Sequence, residues 1–319
     1  MKAGLWIAAA LGAVAILTSQ LIPTPQSRGS VHHDSAVNVG AADLGDISAH
    51  NSPTLARNPR DPDDLVATSR IDSPDFSCAL HVTLDGGVHW ARTPVPIPAG
   101  AGRKCFAPDA DFGPDGTLYV SYVTLQGAGN RPQTVWLASS TDGGRTLAPP
   151  HRVSGPLGFQ VRIAADPGRA RRVYATWLQA RDVGVLKFTG PGNPILASRS
   201  DDGGATWSRP VSVNAATHGR ALAPSPVVGA RGELYVLFLD AGGDRLDYEG
   251  GHRGDGGPPY PGRFSLVVAR SSDRGATWRE SVVDDAVVPT RRFIAYLPPF
   301  PSLAIDRASG RLYVAFEDA

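Results

Sequence analysis

The chain has 319 residues and a formal net charge of +1, from 31 basic and 30 acidic side chains. This balance gives no electrostatic reason to expect a nucleic acid or an anionic membrane surface as the main partner. The 36 glycines and 28 prolines make up about a fifth of the residues, which argues against a helical bundle. With 42% hydrophobic residues, the chain is long enough for one large folded domain or two small ones.

Residues 1–22 are predicted to be a signal peptide or a membrane anchor, which would place the protein at the cell envelope or outside the cell. The apolar run starts at Ala3, behind Lys2, and is long enough to cross a bilayer as a helix if it extends to Ile22. The A-x-A sequence at 13–15 lies inside the run, where cleavage is disfavoured. We therefore favour an uncleaved anchor over a cleaved signal, and both over a buried core helix.

Residues 23–48 form a polar stretch that predicts a linker between this segment and a folded domain at 49–319. Within the linker, residues 36–39 resemble a short outer β-strand. Any contact with a membrane is expected through the N-terminal segment alone.

The chain contains two cysteines, Cys78 and Cys105. An even number of cysteines in an exported chain permits one disulfide. Such a bond would lie within the first copy of the repeat described next. Two buried thiols are the alternative.

A turn motif of the form S/T-x-D-x-G-x-T-W recurs four times. In such a turn, the short aspartate side chain accepts backbone N–H bonds, the glycine supplies a positive φ, and the tryptophan packs on the adjoining strand. A regular spacing of about 60 residues indicates that each copy belongs to one repeating structural unit. The motif aspartates are Asp85, Asp142, Asp202 and Asp273.

A second pattern alternates with the turn motif. It consists of a short strand, a turn rich in Asp, Gly or Pro, and a strand rich in β-branched and aromatic residues. A third strand leads into each turn motif and a fourth follows it. Four strands per unit predict an all-β protein, a β-propeller of four-stranded antiparallel blades. The complete blades are predicted at 53–95, 108–154, 161–213 and 224–284.

The four turn motifs resemble the Asp boxes, or BNR repeats, of sialidases (neuraminidases) and related β-propellers. The resemblance covers residues 50–319 and implies six blades, with the active site on the face opposite the Asp boxes. The motif aspartates would then be structural. Only four complete blades are found, with a partial fifth between Pro301 and Phe316. We therefore expect an incomplete propeller: a fragment, a truncated reading frame, or one part of a larger assembly.

The resemblance also implies a catalytic set: a Tyr nucleophile assisted by a Glu, an Asp acid/base, and three Arg side chains that hold a carboxylate. At the end of the second strand of the first blade, Arg70 precedes an acidic loop, as in the family. Asp75 would be the acid/base, with Asp72 as the second choice, and Arg70 would contact substrate. A solvated turn is the alternative.

Most other functional positions of the family are not matched. Asn51 stands in place of the first Arg, the segment 222–225 contains no Glu, and Asp240 ends the strand where the second Arg is expected. Two functions remain open. One is a glycoside hydrolase of exo-α-sialidase type that acts on glycans, and the other is a non-catalytic propeller that binds glycans or proteins at the cell envelope.

Two further places offer candidate ligand contacts. The long, Gly-rich, acidic loop 240–263 contains Tyr248 and Glu249, although a mobile surface insertion is the alternative. Its carboxylates are of a kind that bind Ca²⁺, but their spacing matches no EF-hand loop, so no metal or cofactor is predicted. Asp109 and Arg162 occupy matching positions of the second and third blades and are expected to face the central channel. They would grip an anionic ligand or form a structural salt bridge.

Overall fold

The structure is a computed structural model that describes residues 37, 50–72, 75–127, 130–180, 193–244, 261–288 and 301–318. In these ranges the chain forms β-strands and a single 3-10 turn, Ala216–His218. Four antiparallel sheets of four strands follow one another along the chain, and a two-stranded sheet follows them. The all-β prediction is confirmed, and the succession of sheets is propeller-like.

The strands have the following bounds. Sheet 1 contains β1 His50–Arg57, β2 Leu65–Ile71, β3 Ser77–Thr83 and β4 Ala91–Thr93; sheet 2 contains β5 Lys104–Phe112, β6 Leu118–Gln126, β7 Arg131–Ser140 and β8 His151–Ser154; sheet 3 contains β9 Gly158–Ala165, β10 Val173–Gln179, β11 Ile195–Ser200 and β12 Val211–Ser212; sheet 4 contains β13 Ala221–Val228, β14 Leu234–Asp240, β15 Phe264–Ser271 and β16 Arg279–Val287; sheet 5 contains β17 Ser302–Asp306 and β18 Arg311–Ala315.

Several predicted features lie outside the described residues. They are the N-terminal helix, the linker apart from Val37, and the two loop residues Tyr248 and Glu249. These features stay predictions. Among the residues that the structure places, no helix is long and apolar enough to cross a membrane.

The second strands of sheets 2 to 4 are apolar on both sides because other sheets pack against both of their faces. In β6, Leu118 and Val120 join a cluster with sheet 1, whereas Tyr119 and Val123 join a cluster with sheet 3. Eight of the nine β6 residues are buried as a result. The unbroken apolar run that predicted this strand is therefore explained by burial on two sides.

The first strands of successive sheets lie next to one another: β5 contacts β1 and β9, and β13 contacts β9 and β17. In sheets 1 to 4 the first strand contains a β-bulge, where the register with the second strand shifts. A bulge re-aims the side chains that follow it. One non-glycine residue at each bulge has a positive φ, and these residues are Ser52, Ala107, Gln160 and Ala223.

Each Asp box forms the turn between the third and fourth strands of its sheet. Asp142 Oδ1 accepts the backbone N–H of Thr146 at 3.0 Å and the Ser140 hydroxyl at 2.6 Å, and its Oδ2 accepts the Thr146 hydroxyl at 2.7 Å. Burial acts to raise the pKa of Asp142, but these hydrogen bonds outweigh it and hold the pKa at about 2. Corresponding bonds are made in the other boxes by Asp85, Asp202 and Asp273.

Cys78 and Cys105 form a disulfide. We expected this bond to lie within the first repeat. Instead it joins β3 of sheet 1 to β5 of sheet 2. The difference arises because Cys105 already belongs to the first strand of the next sheet, so the bond fastens two sheets to each other.

Candidate functional site

Arg70 ends in a buried ion pair at the carboxyl end of β2. Its side chain is only 3% exposed, and Nε and Nη2 both donate to the carboxylate of Asp72, the Nη2–Oδ2 distance being 3.0 Å. A two-pronged bond of this kind fixes the orientation of both groups. The Asp72 side chain remains 26% exposed while the guanidinium holds it in place.

Two aromatic rings pack on the Arg70 guanidinium. The guanidinium carbon lies 4.6 Å from the ring centre of Phe106 and 5.6 Å from that of Phe76. The two rings meet edge to face at 5.6 Å, and Phe106 also stacks on Phe159 at 5.0 Å. The arginine therefore lies where sheets 1, 2 and 3 come together, and cation–π attraction adds to its ion pair.

Asp75 lies beside a lysine rather than beside Arg70. Its side chain is 73% exposed, and Oδ1 lies 3.3 Å from Nζ of Lys104. Lys104 in turn donates to Oδ1 of Asn130 at 3.0 Å. The structure thus pairs Arg70 with Asp72, and Asp75 with a lysine at the start of sheet 2. We call Arg70, Asp72, Asp75, Phe76, Lys104, Phe106 and Asn130 together the Arg70 site.

The disulfide holds the two halves of the Arg70 site together. Cys78 lies opposite Arg70 in the β2–β3 register, and Cys105 directly precedes the stacking Phe106. The backbone N–H of Cys105 also donates to the carbonyl oxygen of Phe76 at 3.1 Å. The two phenylalanine rings that pack on the guanidinium therefore each lie within two residues of a disulfide cysteine.

The Arg70 site and the Asp boxes lie at opposite ends of the strands. Arg70 and Asp72 lie where β2 ends and its connection to β3 begins, whereas Asp85 belongs to the turn from β3 to β4. An antiparallel strand presents its two connections at its two ends. The site is therefore on the face opposite the Asp boxes, where the family resemblance predicted it.

Asp109 and Arg162 form an ion pair between sheets 2 and 3, with Nη1 3.7 Å from Oδ1. Asp109 Oδ2 also accepts the backbone N–H of Ile163 at 2.9 Å. Burial raises the pKa of Asp109, although Arg162 acts to lower it. The structure thus brings these two side chains together, and their binding of an anionic ligand stays a prediction.

Sheet 4 places a second polar group at this end of the strands. Asp240 Oδ1 accepts the Arg220 backbone N–H at 2.9 Å, and burial raises the pKa of Asp240. In the preceding connection, Nδ1 of His218 lies 2.6 Å from Oε2 of Glu280. Sequence reasoning singled out neither His218 nor Glu280 because they are 62 residues apart and belong to no repeated motif.

Four other members of the Arg70 site were also not predicted: Phe76, Lys104, Phe106 and Asn130. Lys104 begins β5 and Asn130 directly precedes β7, so only the fold brings them together. One signal for Phe106 was available in the sequence: Phe106 and Phe159 occupy the same position in the first strands of sheets 2 and 3. Within the described part of the chain, no group of three or more His, Cys, Asp or Glu is arranged to hold a metal ion.

Comparisons with known proteins identify the fold. No protein-family model matches the chain, and no curated protein matches it. Among solved structures, the chain is similar to the alpha-L-arabinofuranosidase of Fusarium graminearum in complex with an iminosugar inhibitor (15% identity over 82% of this chain and 73% of that chain, TM-score 0.55). It is also similar to a protein of unknown function from Dyadobacter fermentans (14% identity over 83% and 74%, TM-score 0.52).

A Hadza microbial sialidase is a more distant neighbour, with 16% identity over 79% of this chain and 50% of that chain and a TM-score of 0.47. The chain thus shares the fold of the Fusarium graminearum arabinofuranosidase, and its successive four-stranded sheets with Asp-box turns are propeller-like, as the sequence predicted. At these identities the likeness establishes the fold, while chemistry has to be argued from the site.

Proposed function

We propose that this protein is a glycan-binding propeller whose ligand site is the Arg70 site. Sheets 1 to 4 correspond to four blades and sheet 5 to part of a fifth. The observation that carries the proposal is the fixed Asp72 carboxylate, which Arg70 orients while leaving it 26% exposed. A fixed carboxylate beside a half-buried aromatic ring suits a sugar, because the carboxylate accepts hydroxyl hydrogens and the ring packs on C–H groups.

The remaining members of the site support the same chemistry. Lys104 offers donors and Asn130 and Asp75 offer acceptors at the rim, next to Phe76. Arg70 itself is 3% exposed and already holds Asp72, so its role is to position the carboxylate rather than to meet ligand. The similar structure from Fusarium graminearum contains arabinobiose in a further complex, which supports including arabino-oligosaccharides among the trial ligands.

A glycan array followed by titration calorimetry tests the proposal. We expect binding of at least one glycan, with at least a tenfold loss of affinity in Asp72→Ala. The matched control is Asp115→Ala, which removes a carboxylate from a turn on the Asp-box side. Absence of any glycan ligand, or equal affinity in Asp72→Ala and the wild-type protein, would contradict the proposal. In that case, binding of a protein at the cell envelope becomes the function to test.

The second candidate is hydrolysis by a glycoside hydrolase of exo-α-sialidase type, with Asp75 as acid/base. The likeness to a glycosidase fold favours it. The exposure of Asp75 and its pairing with Lys104 argue against it, since an acid/base is usually held in a partly buried setting. Release of a fluorescent aglycone from a sialoside, abolished by Asp75→Ala and retained in Asp115→Ala, would establish hydrolysis. No release above buffer would exclude it.

Export of the protein is part of the same proposal. The Cys78–Cys105 disulfide supports it, because disulfides persist mainly in oxidising compartments. The N-terminal segment would then act as signal or anchor. Cell fractionation of the full chain, compared with a chain that starts at Pro23, checks this point: the shortened chain is expected to stay inside the cell.

A further inference from the structure

An open cleft of about 500 Å³ lies on the Asp-box side of sheet 3. It forms between the connection from β9 to β10 and the Asp box that joins β11 to β12, and both connections lie entirely within the described residues. We call it the Arg171 cleft, and its lining residues are Gly168, Arg169, Ala170, Arg171, Asp201 and Asp202.

The two carboxylates of the Arg171 cleft are already engaged. Asp201 accepts hydrogen bonds from Nε of Arg172 at 2.6 Å and from Nε of Arg199 at 2.8 Å. Both carboxylate oxygens of Asp202 accept hydrogen bonds from within the Asp box itself. Burial acts to raise the pKa of Asp201, but its bonds to the two arginines outweigh it and hold the pKa below its usual value. Neither carboxylate therefore requires a further cation.

The two arginines that line the cleft have no such partner. Among the described residues, neither Arg169 nor Arg171 forms an ion pair with a carboxylate, and both residues are exposed. The corresponding turn of sheet 4 differs, because Arg231 there is paired with Glu233 at 3.0 Å. The turn of sheet 2, residues 113–117, contains no arginine. Two guanidinium groups without a carboxylate partner thus distinguish the turn of sheet 3 from these two turns.

Arg171 is fixed in place through both its side chain and its backbone. Its Nη2 donates to the carbonyl oxygen of Asp202 at 2.8 Å, and its own carbonyl oxygen accepts the backbone N–H of Gly203 at 2.8 Å. Its φ is +64°, in the left-handed region that long side chains seldom adopt. Residues held in such conformations cluster at functional sites, and the guanidinium keeps further N–H groups that can donate to a ligand.

A buried hydroxyl lies close to the same guanidinium. The Tyr119 side chain is fully buried, and its hydroxyl has no hydrogen-bond partner among the described residues. A Cβ added to Gly203 would lie 3.8 Å from this hydroxyl oxygen and 3.7 Å from Nε of Arg171, so both groups border the space that the glycine leaves open. The region around Gly203 therefore offers hydrogen-bond donors for which the described chain supplies no acceptor.

We propose that the Arg171 cleft binds a phosphate or sulfate group carried by a larger molecule, with Arg169 and Arg171 as the residues that hold it. A planar guanidinium can donate two parallel bonds to such a group. One arginine saturates the two oxygens of a carboxylate, whereas a phosphate or sulfate monoester has three terminal oxygens and serves both arginines. The volume of the cleft is that of a small-molecule site rather than of a bare ion.

Titration calorimetry with glucose 6-phosphate, glucose 6-sulfate and unmodified glucose tests the proposal. We expect at least one of the two esters to bind more tightly than glucose by about tenfold or more, and the tighter ester identifies which group the cleft prefers. Arg169→Ala and Arg171→Ala should each reduce that affinity by about tenfold or more. The matched control is Arg209→Ala, which removes an exposed arginine from the same β11–β12 connection, outside the cleft, and should bind like the wild-type protein.

Further controls separate this site from the Arg70 site, on which the inference does not depend. Asp72→Ala should leave ester binding unchanged, and loss of ester binding in that variant would place the ester at the Arg70 site and overturn the proposal. The Arg169 side chain makes no hydrogen bond within the described residues, so Arg169→Ala keeps the test valid if circular dichroism shows that Arg171→Ala is unfolded. Esters that bind no better than glucose, or equal losses in Arg209→Ala and the cleft variants, would also overturn it.

Discussion

Arg70 and Phe106 belong to different sheets, yet the guanidinium carbon of one lies 4.6 Å from the ring centre of the other. The contact joins the carboxyl end of β2 to the first strand of sheet 2. A positive charge is thus held against an apolar ring and neutralised by Asp72 alongside. Stability at the seam between the first two sheets and the geometry of the candidate glycan site therefore depend on the same side chain.

Replacing Arg70 by Gln should destabilise the protein by about 2 kcal/mol, because it removes charge-assisted hydrogen bonds to Asp72 and the packing on Phe106. Urea unfolding measures the loss. Arg92→Gln, on the exposed strand β4, is the control and should change stability by less than about 0.5 kcal/mol. Equal stabilities for the Arg70 variant and the wild-type protein would show that the ion pair contributes nothing net.

Removing the disulfide with the pair Cys78→Ala and Cys105→Ala should cost about 3.5 kcal/mol, the chain-entropy value for a loop of this length. The bond closes a separation of 27 residues and fastens sheet 1 to sheet 2. Thermal and urea unfolding with and without dithiothreitol provide the measurement. The reductant should destabilise the wild-type protein and leave the double variant unchanged.

Gly144→Ala should be among the most damaging single-methyl changes in the chain. Gly144 has φ +84°, and an added Cβ would lie 2.8 Å from Cγ1 of Val82 and 2.9 Å from Cδ2 of Leu118. Gly127 has φ +72° but nothing within 4 Å of such a Cβ, so Gly127→Ala isolates the backbone strain. We expect a loss of about 1 kcal/mol for Gly127→Ala and at least about 3 kcal/mol for Gly144→Ala. Similar losses in both would show that the contact between sheets is not tight.

The Asp boxes should make stability sensitive to acid. The pKa of Asp142 is about 2 in the folded protein, below the value of about 3.8 expected once the turn is lost. A lowered pKa contributes stability that is present above pH 4 and is lost as the pH falls towards 2. Asp142→Asn should therefore be less stable than the wild-type protein at pH 6, and the difference should narrow as the pH falls.

Urea unfolding at several values between pH 2.5 and pH 6 measures this difference. Thr141→Val alters the same turn without touching the Asp142 carboxylate and should follow the wild-type curve. A gap between Asp142→Asn and wild type that stays constant with pH would contradict the prediction. It would mean that the aspartate acts through shape rather than charge.

The repeat could be predicted from the sequence because its signals are local. The bonds of an Asp box join residues no more than four positions apart, as between Asp142 and Thr146, so the motif itself contains nearly all of the chemistry that forms the turn. The strands on either side follow from hydrophobic patterning, and their number per repeat predicts a propeller blade. The face that carries Arg70 also follows from the order of strands.

The contacts of the Arg70 site were decided by the tertiary structure. Arg70 is followed by two carboxylates within five residues, and no local rule decides which of them it binds. Packing of Phe106 from the next sheet buries the guanidinium and favours the two-pronged bond to Asp72, while Lys104 draws Asp75 outward. Those partners come from a neighbouring sheet, whose position depends on the folding of the whole repeat.

The sequence by itself determined the unit of this protein: a four-stranded sheet closed by an Asp–Gly turn, repeated along the chain. Short-range hydrogen bonds and side-chain periodicity are sufficient for that. Only the tertiary structure decided which residues meet between units, such as Cys78 with Cys105 and Asp109 with Ile163. The physical reason is that burial depends on the neighbour a sheet acquires, and identical positions of a repeat acquire different neighbours.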